Sequence, residues 1–220
     1  MAVVLIPVKD PAHAKQRLRA LFTQYERTQL AWAMLQDVAA ALARAERPTA
    51  VFVVTSSSGV EAFVRREGWD LLREENQHSE SFSVDWASTE LKKRGFRRVL
   101  RLPGDVPLVQ AWDIDLVIDT ALAETSSVIV PSRDGTGTNA LLRNPPDAFP
   151  SRFGPDSCRL HHQEARSRQV RLVALANERI GLDIDDPADL AAFFNRSLGG
   201  HTLDFLLSIG AQSRLENATA

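Results

Sequence analysis

The chain has 220 residues, 44% hydrophobic and 25% charged, with 26 lysines and arginines against 28 aspartates and glutamates for a net charge of −2. That length suits one sizeable domain or two very small ones, the ordinary apolar share argues against a disordered chain, and the near-balance of charge argues against general nucleic-acid binding. No run of about 18 apolar residues could span a membrane, the apolar start lacks the basic lead of a secretory signal, and a lone cysteine, Cys158, excludes an internal disulfide.

A cytoplasmic protein acting on small molecules, with no nucleic-acid or membrane partner, is the expectation; a homodimer stays open. The β-branched run Ala2 to Val8 predicts a buried strand. Tyr25 to Glu46, rich in Ala and Leu and followed by Pro48, predicts a long helix. Ala50 to Thr55 reads as a second buried strand and Val60 to Glu67 as a second helix. Phe82 to Arg94 has a helical pattern with Gly95 as its stop. Arg98 to Leu102 is a strand ending at Pro103-Gly104, and Trp112 to Ala123 a helix. Ser127 to Val130 and Val170 to Leu175 are further strands. Pro187 opens a helical region through Ala192 to Ile209 with a break at Gly199-Gly200. Strands and helices alternate from the start, which predicts an α/β fold with a mostly parallel sheet, helices on both faces, and ligands beyond the carboxyl ends of the strands. Residues 1–211 are expected to form a single domain, and the polar stretch 212–220 a frayed tail.

Four segments could carry chemistry. After the first strand, Ile6-Pro7-Val8-Lys9-Asp10-Pro11 leads into Ala14-Lys15-Gln16-Arg17-Leu18-Arg19. Cations beside a helix start suit phosphates, although a solvated basic turn would look the same. No Walker-type loop is present. In Leu102-Pro103-Gly104-Asp105-Val106-Pro107 a strand delivers Asp105 between two prolines, where a carboxylate can hold Mg²⁺ or simply make a turn. In Gly181-Leu182-Asp183-Ile184-Asp185-Asp186-Pro187, Asp183 and Asp185 share one face of an extended segment and repel unless a cation joins them. Asp186 before Pro187 is explained by helix capping. The fourth is Asp134-Gly135-Thr136-Gly137-Thr138-Asn139, with Phe153-Gly154-Pro155-Asp156-Ser157 further on. Its glycines and hydroxyls suit a small anion held by backbone N–H groups, and Ser157 opens a helix. Asn144-Pro145-Pro146 rules out the long helix of a dinucleotide fingerprint behind it. Cys158, His161, His162 and Glu164 make a poor zinc set, because adjacent histidines on a helix diverge.

Taken in order, these segments and Gly-Thr-Gly-Thr-Asn-Ala-Leu resemble one family, the guanylyltransferases of deazaflavin coenzyme F-420 biosynthesis. The resemblance runs from residue 2 to about 190 and implies a Rossmann-like nucleotidyltransferase fold, of the type shared with nucleotide-diphospho-sugar transferases, working with Mg²⁺ and GTP. It implies Asp105, Asp183 and Asp185 as Mg²⁺ ligands, and Thr138, Gly154 and Ser157 as contacts to a phosphorylated acid. Lys9, Lys15 and Arg17 would face the GTP phosphates, with Lys15 and Asp105 catalytic, and Ser81 and Ser83 would line the organic end of the acid. Many members carry a Gly-Leu-Asn-Ala-like segment where this chain has Ser79 to Asp85, so the acceptor stays open among 2-phospho-L-lactate, phosphoenolpyruvate and 3-phospho-D-glycerate. A molybdopterin or sugar nucleotidyltransferase would share the fold, but its usual Gly-Gly-x-Ser-x-Arg-Met-Gly loop is missing. A non-catalytic nucleotide-binding regulator would have no need of paired Asp183 and Asp185.

Overall fold

Val3, Val4, Leu5 and Ile6 are all fully buried, because β1 (Ala2–Pro7) is covered on both faces. Val4 and Ile6 point into one core cluster and Val3 and Leu5 into another, the two-residue alternation of a strand. The computed structural model describes residues 1–75, 78–121 and 126–219. Around β1 the chain builds β2 (Pro48–Thr55), β3 (Asp70–Arg73), β4 (Arg98–Arg101), β5 (Ser127–Pro131), β6 (Thr138–Arg143) and β7 (Leu172–Ala174). They form one seven-stranded sheet in the order β3-β2-β1-β4-β6-β5-β7. All pairings are parallel except those of β6, which runs antiparallel to both β4 and β5.

Helices cover both faces. The first, α1 (Gln24–Leu42), starts at a capping box in which Thr23 and Glu26 satisfy each other's backbone N–H groups. Its Leu35, Val38 and Leu42 pack under β1 with Phe63 of α2 (Ser58–Arg66) and Ile114 of α4 (Ala111–Thr120). The opposite face carries α3 (Glu80–Lys93) through Val84, Ala87 and Leu91. Beside β6, α5 (Ser157–Ser167) buries Ala165 against Ile129 and Leu141. Three short helices, α6 (Pro187–Phe194), α7 (His201–Ser208) and α8 (Ala211–Thr219), form a satellite core with Leu18, Phe22 and Met34.

Three features depart from the sequence reading. Nothing in Asp70-Leu-Leu-Arg announces β3; only Leu72 is buried, and pairing with β2 makes it a strand. β6 follows directly on the glycine-rich turn and is buried throughout. The stretch from 212 is not a frayed tail: α8 continues to 219, because Ala211 and Leu215 present an i, i+4 apolar pair to the satellite core and Arg214 pairs with Glu26 at 2.9 Å. Residues 122 and 123 of the expected helix over 112–123 lie outside the described residues.

The Arg214 hydrogen bond, aided by Thr23, holds Glu26 down at about 2 from an ordinary value of 4.5. A depressed carboxyl stabilises the fold above its unfolded pKa and loses that contribution as pH falls from 4.5 toward 2. With solvent screening the effect is about 0.5–1 kcal/mol, so Glu26→Gln should lower Tm slightly at neutral pH and not in acid. Hydrogen exchange should show the loss concentrated in α8.

Candidate active site

The strand order reverses at β1, with β2 and β3 on one side and β4 on the other. Loops leaving β1 and β4 therefore diverge and open a crevice at their carboxyl ends. The loop after β1 makes two single-turn 3-10 helices, Pro11–His13 and Gln16–Leu18, on either side of Lys15. Lys15 itself sits in the left-handed region at φ 53° and ψ 45°, a conformation that a non-glycine residue holds only where surrounding contacts fix it. Those contacts are two carboxylates. Lys15 Nζ donates to Asp105 Oδ2 at 2.6 Å and to Asp185 Oδ1 at 2.8 Å, and its side chain is 6% exposed.

Asp105 lies just beyond β4, and its carbonyl accepts the Ile184 N–H at 3.3 Å, which ties the Asp183–Asp185 segment to the strand end. Asp183 and Asp185 fall on either side of that link. Carboxylate oxygens of Asp105, Asp183 and Asp185 lie within 4.8 Å of one another, the one such metal-competent group among the described residues. Burial disfavours charge on Lys15, but Asp105 and Asp185 outweigh it and raise its pKa above the ordinary range. Burial likewise works against the Asp105 carboxylate, and the Lys15 charge more than compensates. Asp183 is different. Burial first and then the Asp105 charge push it up to about 6, against a hydrogen bond from Asn139 Nδ2 at 3.0 Å. Asp186 caps α6 by accepting from the Ala188 and Asp189 N–H groups, as the sequence predicts, which leaves Asp185 facing Lys15.

Two cavities meet at this acidic wall and share Glu80, Arg101, Pro103, Asp105 and Asp185. The first, of about 490 Å³, has an apolar floor of Pro7, Val8, Ala31, Met34 and Leu35, with Lys9, His13 and Lys15 around it. The second, of about 570 Å³, is polar and is lined by Thr138, Gly154, Ser157, Asp183 and Arg17 among others. Of the three cations singled out in the sequence, only Lys15 reaches the acidic cluster closely. Lys9 is exposed on the rim of the first cavity, and Arg17 is 3.8 Å from Asp185 Oδ2 with its side chain 73% exposed.

In the second cavity Thr138 opens β6 and Ser157 opens α5, their hydroxyl oxygens 3.1 Å apart. Gly154 has φ 122°, a backbone only glycine adopts readily, and among the described residues no acceptor meets the N–H of Gly154 or Ser157. Two sequence expectations need correction here. The 135–137 turn offers no anion nest, because its N–H groups are spent internally: Gly135 donates to Ser132 O, Thr136 to Asp134 Oδ1 and Gly137 to Ser132 Oγ. Ser132 and Thr136 in turn hold Asp134 near 2, so this is a closed Asx-type turn that fixes the entry of β6. Nor do Ser81 and Ser83 line the second cavity. Ser81 Oγ accepts the Phe153 N–H at 2.8 Å, and Ser83 is buried on the wall of the first cavity, donating to Glu74.

The sequence reading missed Arg101 and His161. Arg101 is buried, pairs with Glu80, donates to Asn139 O at 3.0 Å and lies 4.4 Å over the Phe153 ring. Its signal was a charged residue at the end of an apolar strand. His161 is 0% exposed, with Nδ1 at 3.0 Å from Thr138 Oγ1 and Nε2 at 2.8 Å from the Arg152 nitrogen. It had appeared only as a poor zinc ligand.

Known proteins share this arrangement of strands. A crystal structure named as a nucleotide-diphospho-sugar transferase from Desulfovibrio desulfuricans superposes with a TM-score of 0.82 over 98% of this chain and 97% of that one. At 16% identity that likeness speaks for the fold. The phosphoenolpyruvate guanylyltransferase of Rubrobacter xylanophilus is 35% identical over 85% of this chain and 90% of its own. The 2-phospho-L-lactate guanylyltransferase of Methanothermobacter thermautotrophicus is 31% identical over 92% of this chain and 88% of its own. The 3-phospho-D-glycerate guanylyltransferase of Phenylobacterium zucineum is 29% identical over 98% of this chain and all of its own, 100%. The family described as guanylyl transferase CofC like matches residues 2–220. With that match spanning the sheet, both cavities and the acidic cluster between them, the chain belongs to the CofC-like guanylyl transferase family.

Proposed function

We propose that this enzyme transfers GMP from GTP to a phosphorylated three-carbon acid and releases pyrophosphate, as a step in coenzyme F-420 biosynthesis in the cytoplasm. The observation that supports this best is the wall of Asp105 and Asp185 shared by an apolar-floored cavity and a polar one. A base can stack on the first floor while its phosphates reach Lys9, Lys15 and the acidic cluster. The acid takes the second cavity, with Thr138, Ser157 and the Gly154 N–H toward its anionic groups. Reacting groups from the two sides then meet at Asp105.

The chemistry asks little of a base. A phosphate oxygen of the acid attacks the α-phosphorus of GTP, forming a P–O bond while the bond to pyrophosphate breaks. That oxygen is already largely ionised, its second pKa being roughly 6. What the reaction needs is in-line placement and neutralisation of two polyanions. Asp105, Asp183 and Asp185 bring three carboxylates against one ammonium, and burial first, then the Asp105 charge, raises the pKa of Asp183. A hard oxygen donor set of this kind fits Mg²⁺. Those three residues would hold it, and when bound it supplies charge neutralisation at the phosphates.

Relatives named for phosphoenolpyruvate, 2-phospho-L-lactate and 3-phospho-D-glycerate support the acceptor class. Pyrophosphate release with GTP and each of these three acids is the direct test, and no release with any of them would reject the reading. Thr138→Val keeps the shape and removes the donor. It should lower kcat/KM for the acid roughly ten- to hundredfold, one hydrogen bond to a charged group. GTP affinity should stay unchanged; equal loss in both would move Thr138 into the nucleotide site.

A further inference from the structure

His161 is buried behind the second cavity with its ring packed near Phe149 and Phe153, centroids 6.4 and 5.0 Å away, and the transfer reaction gives it no part. Its protonation is nevertheless fixed by its neighbours. Nε2 faces the backbone N–H of Arg152 at 2.8 Å, a group that can only donate, so Nε2 is an acceptor and carries no proton. Burial, then the charges of Arg143 and Arg101, push the ring down to about 3, so it is neutral in any ordinary assay. A neutral imidazole with a bare Nε2 carries its proton on Nδ1. That Nδ1–H is 3.0 Å from Thr138 Oγ1 and donates to it.

The Thr138 and Ser157 hydroxyls, 3.1 Å apart, hold two protons between them, and one serves the hydrogen bond that joins them. With His161 donating into Thr138, the second proton is left for a ligand in the cavity. With the other tautomer, Thr138 would give its proton to Nδ1 and Ser157 would give its own to Thr138. The pair would then turn only lone pairs toward an anion. We propose that His161 is a positioning residue whose fixed Nδ1–H tautomer makes the Thr138–Ser157 pair a hydrogen-bond donor to the anionic acid. This rests on the reading of that cavity as the acid site.

The first measurement uses the wild-type protein: long-range ¹⁵N–¹H correlation of its histidine rings, with His161 assigned by the loss of its signals in His161→Gln. A single neutral tautomer with Nδ1 protonated is expected; an Nε2-protonated ring, or averaging between tautomers, overturns the proposal. The second compares two variants. His161→Asn puts an amide N–H near the Nδ1 position, whereas His161→Gln reaches the Nε2 position, where its oxygen can accept from Arg152 but nothing donates to Thr138. In the Gln variant KM for the acid should rise about tenfold, with kcat and KM for GTP within about twofold of wild type. The Asn variant should recover most of that loss, and adding Thr138→Val to His161→Gln should weaken acid binding little further. Equal losses in Asn and Gln, or a loss shared with GTP, would mean that His161 merely supports the fold. If Thr138→Val alone leaves KM for the acid unchanged, the acid-site reading falls and this proposal with it. A loss in Thr138→Val beside an Nε2–H spectrum overturns the proposal alone.

Discussion

Asp183→Asn is expected to reduce pyrophosphate release about a thousandfold or more, the several kcal/mol carried by a metal ligand in phosphoryl transfer. The same change should make the metal-free protein more stable. Asp183 is raised from an ordinary 3.8 to about 6 by burial and by the charges of Asp105 and Asp185, so its ionisation strains the fold. The folded state binds more protons than the unfolded one across that window, and stability therefore falls as pH rises from 3.8 to about 6. Removing the carboxylate removes that slope, a gain on the order of 2 kcal/mol at neutral pH. Asn keeps an oxygen that can still accept from Asn139 Nδ2, now 3.0 Å from Asp183 Oδ1, so no buried donor is left open. Thermal unfolding in chelator, at acid and neutral pH, measures the stability, and a Tm lower than wild type at neutral pH would contradict the proposed strain. Added Mg²⁺ should raise the Tm of the wild type and leave the variant nearly unmoved. A site that trades stability for ligand binding behaves this way.

Lys15→Ala should weaken GTP binding roughly ten- to hundredfold while changing acid binding much less, the difference expected for one charge-assisted contact to phosphate. Lys15 has a second task that the variant exposes. It bridges Asp105 and Asp185 at 2.6 and 2.8 Å, and without it three carboxylates face one another with Arg101 near Asp105 and the exposed Arg17 3.8 Å from Asp185. The metal-free variant should lose about 1–3 kcal/mol, moderated because both partners remain partly solvated. Mg²⁺ should then stabilise it more than it stabilises the wild type, since the ion takes over neutralisation. Lys15→Arg should not rescue GTP binding, because a planar fork does not fit where a compact ammonium sits between two oxygens. Calorimetric titration with GTP and unfolding with and without Mg²⁺ separate the two tasks. Unchanged GTP affinity would leave Lys15 as a brace for the acidic cluster alone.

The sequence by itself determined the alternation of elements and singled out the three carboxylates that the fold brings together. Buried strands such as β1 are legible because covered faces demand unbroken apolar runs, and α6 because Asp186-Pro187 caps it. Asp105 and the Asp183/Asp185 pair stood out because local rules for turns and caps left Asp183 unexplained. Only the tertiary structure decided the rest. β3 exists because β2 offers it an edge, and α8 because Ala211, Arg214 and Leu215 find partners contributed by distant segments. The 135–137 turn looks like an anion nest in one dimension and closes on itself in three, since whether an N–H is free depends on where Ser132 and Asp134 point. Lys15 could be read as a cation near phosphates, but not as the bridge between residues 90 and 170 positions away. The place of His161 was out of reach for the same reason: its meaning lies in a backbone N–H on one side and a hydroxyl 23 residues away on the other, a pairing set by the packing of α5 against β6.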